Sequence, residues 1–283
     1  LASAGDDHTI RLWDPDASIA IDDTPQALRG PVRALAFGST TDGRTCFLAS
    51  AGDANIALWN PELGKAIGKP LRAHSRPIRA LAFGTTTDGR TLLASAGDDR
   101  TIQLWNPKTG KAIGKPLGRH RGPVRALAFG TTTDNRPVLA SAGHTNVFLW
   151  NLDARKVVGN PLKGHRGPLW ALAFGTIADS GLVLASAGDD RTIRLWNPDT
   201  GNAIGEPLHG HDGPVRALAF GTTTDNRPVL ASGGDDRIVQ LWDSGTGRPA
   251  ATVHRRVAVN TLLYNGSLLT IGDDEGMSTI EMI

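Results

Sequence analysis

Residues 184–198 read LASAGDDRTIRLWNP, and close copies of this stretch recur along the chain. Each copy carries a tryptophan near its end, and successive tryptophans lie 45 or 46 residues apart: Trp13, Trp59, Trp105, Trp150, Trp196 and Trp242. Self-similarity at a fixed period of this size is typical of solenoids, propellers and other arrays of one supersecondary unit. The period therefore limits the fold to a repeat architecture.

Each unit is built from short strands. Runs such as 124–129, 138–142 and 147–150 have strand length and are bounded by Gly, Pro, Asn or Asp. Pro or Gly interrupts every window that has room for a helix. We predict four antiparallel strands per unit, labelled a to d from axis to rim. Because one such sheet cannot bury both of its faces, we predict that the units pack radially as an all-β propeller.

The unit resembles a WD repeat, because one strand ends in Ser-Ala-Gly-Asp-Asp and the next in Leu-Trp-Asn or Leu-Trp-Asp. The resemblance covers nearly the whole chain and weakens near its C-terminal end. In that family a His before strand a, a Ser or Thr on strand b, an Asp in the following turn and the Trp form a hydrogen-bonded network. The resemblance implies this role for three sets: His74, Ser95, Asp99 and Trp105; His165, Ser186, Asp190 and Trp196; His211, Ser232, Asp236 and Trp242.

Two units depart from the pattern. Leu28 stands where the network His is expected before Trp59, and His144 stands where the Asp is expected before Trp150. We expect those units to be held less firmly. A Ser, a His and an Asp together also suggest a hydrolytic triad. Because the set recurs at one spacing with a Trp attached, the sequence favours a structural role, and we predict no catalytic residue.

Counting strands predicts seven blades. The approximate bounds are 1–28, 29–72, 73–118, 119–163, 164–209, 210–253 and 254–283, which together form a single domain. The first unit opens on a b strand and the last supplies only a, b and c. We therefore expect an incomplete blade at each end, and a chain that is a piece of a longer protein.

Composition excludes several classes of function. A net charge of +2, with charged residues at 20%, argues against a nucleic-acid binder. No apolar run approaches the length of a membrane helix, and a single cysteine allows no disulfide framework. His209 and His211 flank Gly210 without a third ligand nearby in sequence, so we predict no metal site and no cofactor. The family resemblance implies a cytoplasmic location.

The resemblance also implies a binding face near the central opening, formed by two positions in each blade. The first position, early in strand a, holds Arg33, Arg79, Arg125, Trp170, Arg216 and Asn260. The second position, just before the network Asp, is assigned to Asp6, Gly52, Asp98, Gly143, Asp189, Asp235 and Asp273.

Within a blade these two positions are expected to lie close together. Arg79 is then expected to pair with Asp98, and Arg216 with Asp235. Arg33 is matched with Gly52 and Arg125 with Gly143, so we expect two guanidinium groups without their acid and a positive potential there. Trp170 breaks the arginine series, and a Trp beside Arg has the composition of an interface hot spot. The alternative is that these are ordinary solvated arginines with a Trp packed over the channel.

These observations predict a non-enzymatic scaffold or sensor module that binds a protein or peptide, of acidic character, on this face. The near-identical copies resemble propellers attached to bacterial signalling proteins, which implies an ATPase or kinase domain upstream in the same chain. Two alternatives stay open: a carbohydrate-binding propeller and, with less support, a propeller enzyme. The low aromatic content of 5% counts against the first, and the repetitive residues expected along the axis count against the second.

Overall fold

The computed structural model describes residues 2–14, 19–24, 30–40, 43, 45–118, 120–177, 181–243 and 246–281. Every regular element in these residues is a β-strand. The chain divides into two compact units, one of residues 1–129 with 152–156 and the other of residues 130–151 with 157–283. The described residues contain no helix with the length and apolar character needed to cross a membrane.

Three sheets belong to the first unit. The first sheet contains β1 (Ala2–Ala4), β2 (Ile10–Asp14) and β3 (Ile19–Thr24). The second contains β4 (Ala34–Ser39), β5 (Cys46–Ala51), β6 (Asn55–Asn60) and an outer strand in two pieces, β7 (Lys65–Ala66) and β8 (Leu71–Arg72). The third contains β9 (Ile78–Thr85), β10 (Thr91–Gly97), β11 (Thr101–Asn106) and the pieces β12 (Lys111–Ala112) and β13 (Leu117–Gly118).

The boundary between the two units crosses the fourth sheet, which contains β14 (Ala126–Thr131), β15 (Pro137–Ala142), β16 (Asn146–Asn151) and β17 (Lys156–Lys163). Three further sheets lie in the second unit. The fifth contains β18 (Leu169–Ile177), β19 (Gly181–Gly188), β20 (Ile193–Trp196) and β21 (Ala203–Leu208). The sixth contains β22 (Val215–Thr222), β23 (Pro228–Gly234), β24 (Ile238–Asp243) and β25 (Pro249–His254). The seventh contains β26 (Val259–Asn265), β27 (Leu268–Asp273) and β28 (Gly276–Glu281).

The prediction of antiparallel, four-stranded blades is confirmed for the second to sixth sheets, where strand positions a to d follow one another in chain order. The predicted number of seven blades is not confirmed. Among the described residues, the sheets at either end have three strands each, which correspond to b to d in the first and a to c in the seventh.

The hairpin between strands b and c occurs in two lengths. Ala96 pairs with Ile102 in the third sheet, and the first, fifth and sixth sheets have the same spacing. In the second sheet Ala51 pairs with Ile56, which leaves the hairpin one residue shorter. The fourth sheet shares this shorter hairpin. The additional residue of the longer hairpin adopts a positive φ and is His8, Arg100, Arg191 or Arg237.

The core lies between neighbouring sheets within each unit. In the first unit, Trp105 of the third sheet packs against Ile56 and Leu58 of the second. In the second unit, Trp242 of the sixth sheet packs in the same way against Ile193 and Leu195 of the fifth. The repeating tryptophan therefore buries its ring against the preceding sheet, which explains its fixed period.

A second repeated contact joins the a strands. A Cβ added at Gly84 would lie 2.2 Å from the Phe129 ring, and one added at Gly175 would lie 2.1 Å from the Phe220 ring. No side chain fits in so small a space, so the glycine after each phenylalanine is required by the aromatic ring of the next strand a. The Phe-Gly pair of each unit thus provides both sides of the contact.

Candidate functional site

The structure brings each of the three predicted networks together. In the sixth sheet, His211 Nδ1 lies 2.7 Å from Asp236 Oδ2 and His211 Nε2 lies 2.7 Å from Ser232 Oγ. The Trp242 indole N–H donates to the same hydroxyl at 2.8 Å. The matching distances are 2.8, 2.8 and 2.8 Å for the set that contains His165. They are 2.9, 2.8 and 3.0 Å for the set that contains His74.

The geometry assigns the protons in each network. The carboxylate can only accept, so Nδ1 of the histidine carries the proton that it donates to the aspartate. Nε2 then accepts the hydroxyl proton of the serine, whose oxygen accepts from the tryptophan. Ser95, Ser186 and Ser232 have no solvent-accessible surface. A substrate carbonyl cannot reach a hydroxyl that is fully buried, so these three sets hold the fold and are not hydrolytic triads.

The network aspartates also organise the hairpin. Asp99 accepts hydrogen bonds from the Thr101 hydroxyl at 2.8 Å and from the backbone N–H groups of Thr101 and Ser75 at 3.1 Å. Burial acts to raise the pKa of Asp99, but these bonds and the nearby His74 outweigh it and leave the pKa below its usual value. The pKa of Asp190 is lowered by equivalent contacts against the same effect of burial.

The second and fourth sheets keep only part of this arrangement. Trp59 still donates to Ser50 at 3.1 Å, and Trp150 to Ser141 at 2.8 Å. His144 does not replace the aspartate; its side chain is exposed and its ring nitrogen lies 3.5 Å from the hydroxyl of the adjacent threonine. Leu28 lies outside the described residues. His120 lies four residues before the buried Val124, which is the spacing of the network histidines, and this spacing is the signal in the sequence that could have identified it. Burial lowers the pKa of its imidazole to about 4.

On the predicted binding face, the first unit gathers arginines around one acid. Arg79 is paired with Asp98 as predicted, with Nε to Oδ1 at 3.0 Å and Nη2 to Oδ2 at 2.6 Å. The hydrogen bond from Arg79 is the main cause that lowers the pKa of Asp98, burial opposes it, and the charges of Arg125 and Arg33 lower the pKa further. Asp98 is therefore bonded to Arg79 and lies within the electrostatic influence of two further arginines.

The matching of Arg33 with Gly52 is wrong. A Cβ added at Gly52 would lie 2.0 Å from the Pro31 carbonyl oxygen, just as one added at Gly97 would lie 2.1 Å from that of Pro77. Gly52 therefore corresponds to Gly97, and Asp53 follows it as Asp98 follows Gly97. The mismatch arises because the hairpin of the second sheet is one residue shorter, so counting back seven residues from the tryptophan ends one residue too early. The same count misplaces Gly143, which lies in the other short hairpin.

In the second unit the face contains an aromatic ring and two acids. Arg216 pairs with Asp235 as predicted, with Nε to Oδ1 at 2.9 Å and Nη2 to Oδ2 at 2.5 Å. Its guanidinium carbon lies 4.3 Å from the centre of the Trp170 ring, a cation–π distance. The Trp170 indole N–H donates to Asp189 Oδ1 at 2.5 Å. Salt bridges and stacking hold these four side chains in one arrangement.

The seventh sheet corrects one further assignment. Asn260 donates its side-chain hydrogen bond to Asp274 at 2.7 Å. Val259 pairs with Asp273 in the same register in which Val215 pairs with Gly234, so Asp274 is the counterpart of Asp235. Asp273 instead accepts two hydrogen bonds from Arg255 at 3.0 and 2.7 Å. Arg255 lies four residues before Val259, at the position that the network histidine occupies in other repeats. This spacing is the signal in the sequence that could have identified the pair of Arg255 and Asp273.

Two cavities lie away from this face. One of about 480 Å³ lies in the second unit and is lined by Phe174, Phe220 and Tyr264 with the glycines on which they pack. Burial raises the pKa of Tyr264 to about 12, and its hydroxyl has no hydrogen-bond partner among the described residues. The other, of about 180 Å³, lies at the broken outer strand of the second sheet. The described residues contain no group of three or more His, Cys, Asp or Glu side chains arranged to hold a metal ion.

Comparison with protein families identifies the repeat. The family described as "WD domain, G-beta repeat" matches residues 1–14, 64–106, 156–197 and 202–243, about half of the chain. A search of curated proteins found no match to the chain. The matched segments contain four of the six strands that carry the repeating tryptophan and the three complete networks, and the sheets between them repeat the same strand order. The chain is therefore a β-propeller that belongs to the WD-repeat family.

Proposed function

We propose that this chain is a non-enzymatic module of seven blades that binds a protein or peptide segment on the face formed by the starts of the a strands. The family supports the general role, since WD-repeat propellers commonly act as interaction scaffolds. Seven blades are supported by the described strands, which fall into seven sheets, two of them with three strands. The partner is either a separate protein or another domain of the same polypeptide, such as an ATPase or kinase.

The observation that carries this proposal is the arrangement of Trp170 and Arg216 with Asp189 and Asp235. Trp and Arg dominate the binding energy of protein interfaces, most strongly when their rotamers are fixed before the partner arrives. Here the indole N–H is held by one carboxylate and the guanidinium by the other. The indole of Trp170 keeps part of its surface exposed, so a partner can cover it without rearranging the cluster.

The acidic character of the partner is proposed from the first unit. The charges of Arg33 and Arg125 act on Asp98 in addition to its hydrogen-bonded partner Arg79. Arginines gathered in this way favour Asp or Glu side chains in a partner and speed their association at low salt.

A displayed peptide library selected on the whole chain tests the proposal. We expect selected peptides to be rich in Asp and Glu, and we expect Trp170→Ala and Arg125→Ala each to weaken their binding about tenfold. Lys108→Ala and Lys111→Ala are the matched controls, because they remove exposed charges at the outer strand of the third sheet and the turn before it. Both should leave the dissociation constant unchanged. Equal losses in all four variants would reject this face, and selective binding on a glycan array would favour the carbohydrate alternative.

A further inference from the structure

One column of strand c differs between the sheets in a way that the binding face does not explain. The residue opposite the network serine is Gln103 in the third sheet and Gln240 in the sixth. Both are buried, with 4% of their surface exposed. The fourth and fifth sheets place Phe148 and Arg194 there. In the second sheet the residue is Ala57, which has no polar side-chain atom.

The two glutamines link strand c to the outer strand. The Gln103 carboxamide donates to the carbonyl oxygens of Leu104 at 2.9 Å and Gly114 at 3.4 Å. The Gln240 carboxamide donates to those of Leu241 at 3.0 Å and Ala251 at 2.7 Å. A buried carboxamide with two carbonyl acceptors is thus a recurring part of this fold.

The second sheet has the same backbone without this group. Trp59 pairs with Ala66 as Trp105 pairs with Ala112. The N–H of Ile67 donates to Leu58 O at 2.7 Å, and that of Ile113 donates to Leu104 O at 2.8 Å. Leu58 and Gly68 therefore correspond to the two acceptors of Gln103. Because the side chain of Ala57 is small, a pocket of about 180 Å³ lies beside them, and Ala66 and Pro70 also line it.

The surroundings of the pocket are basic. Lys65 and Lys69 adjoin its lining residues in the chain, Arg72 follows on β8, and all three side chains are exposed. Glu62, in the preceding turn, is the nearest acid in sequence. The third sheet repeats both lysines, but there Gln103 already occupies the space beside them. The second sheet therefore combines the same basic residues with an open pocket.

We propose that this pocket is a binding site for a glutamine side chain of a partner segment in which acidic residues flank the glutamine. The inserted carboxamide would donate to the carbonyls of Leu58 and Gly68, as Gln103 does in the third sheet, and the flanking carboxylates would face the three basic side chains. An apolar side chain would cover the same carbonyls without donating to them, at a cost in affinity. The site is separate from the proposed binding face and does not depend on it.

The probe is a pentapeptide with one Gln between two pairs of Glu, a labelled N-terminus and a free C-terminal carboxylate, which avoids a second carboxamide. Titration into the whole chain with ¹³C-methyl alanine follows the signals of Ala57 and Ala66 by NMR. We expect both signals to shift, and a peptide with Leu in place of Gln to bind about tenfold more weakly. Equal binding of the two peptides, or shifts confined to other alanines, would overturn the proposal.

Two reciprocal variants make the test independent of folding. Ala57→Gln fills the pocket from within, so it should raise the melting temperature and abolish binding of the Gln peptide. Gln103→Ala opens the corresponding space in the third sheet and should add a second site for the same peptide. Retained binding by the stable Ala57→Gln variant would show that the pocket is not the site. Lys69→Ala should weaken binding at low salt and have little effect at high salt.

Discussion

The third and second sheets share the same strand order and nearly the same sequence, yet only the third contains the full hydrogen-bonded network. Two features differ: the second sheet has Leu28 at the sequence position of His74, and its hairpin between strands b and c is one residue shorter. In the third sheet Arg100 adopts a φ of 67°, which lets Asp99 accept bonds from both sides of the turn. In the second sheet the shorter hairpin retains the bond between Trp59 and Ser50 and lacks this carboxylate. The complete network thus requires the longer hairpin as well as the histidine before strand a.

The largest expected effect comes from removing a network carboxylate. Asp236→Ala leaves the donors of His211, Asp212 and Ile238 without their acceptor, as each now bonds to that carboxylate. We expect a loss of about 4 kcal/mol in the free energy of unfolding, measured by urea denaturation. Thr145→Ala, in the short hairpin of the fourth sheet, should cost less than about 0.5 kcal/mol. Similar losses for the two variants would contradict the distinction between the hairpins.

Deleting Arg100 should convert the third sheet to the type of the second. The shortened turn cannot place Asp99 beside His74, so we expect a loss of about 3 kcal/mol while the bond from Trp105 to Ser95 persists. Arg100→Ala keeps the hairpin length and is the matched control, for which we expect retention of the His74 contact in the NMR spectrum of the imidazole. If the deletion were no more harmful than Arg100→Ala, hairpin length would not be the deciding factor.

His120, which precedes strand β14 of the fourth sheet, should make the stability of the protein depend on pH. The folded pKa of His120, about 4, lies below the usual value of 6.5. Its contribution is therefore fully present above pH 6.5 and is lost as the pH falls toward 4. We expect wild type to lose about 2 kcal/mol more than His120→Gln across this interval, as measured by denaturation at a series of pH values. Parallel curves for the two proteins would show that the imidazole is not responsible.

Asp99 and Asp190 should act at a lower pH than His120. The pKa values of these two carboxyl groups are lowered in the folded state, so their contribution to stability is present above the usual value of 3.8 and is lost only below it. The two effects can therefore be separated in a single pH series.

The smallest expected effect is a gain. Arg237 has a φ of 65°, a conformation that costs little for glycine. Arg237→Gly should stabilise the protein by about 1 kcal/mol, visible as a higher melting temperature. Ala54→Gly is the control in the short hairpin of the second sheet, where no positive φ occurs, and it should destabilise the protein by about 0.5 kcal/mol. A loss in both variants would contradict the role of the left-handed residue.

The sequence predicted what depends on the period. The tryptophans, the strand order and the members of the three networks follow from spacing and resemblance, because each occupies a fixed place in a copied unit. Errors arose where one copy has a different length. Ser50 and Trp59 are nine residues apart and Ser95 and Trp105 are ten, and this difference was enough to identify the shorter turn.

Other features of the site require the folded chain. The pKa of Asp98 is lowered by Arg33 and Arg125 as well as by Arg79. This effect depends on how neighbouring sheets pack, and the spacing of residues within one repeat does not predict it. The stacking of Arg216 on Trp170 likewise joins residues of two different sheets, the sixth and the fifth. The sequence does not indicate the pocket beside Ala57, because only the folded chain shows that Gln103 fills the corresponding space in the third sheet.

The paired phenylalanine and glycine of strand a bear on how such a chain can change. In the second to sixth sheets, the glycine of strand a receives the aromatic ring of the next strand a, so inserting or removing one of these whole copies keeps the same contact on both sides. Residue 264 is a tyrosine and is followed by Asn265, whose Cβ occupies the place that glycine leaves open in the other copies. Duplication of a copy from the second to the sixth sheet therefore preserves this contact, whereas duplication of the seventh would not supply the glycine.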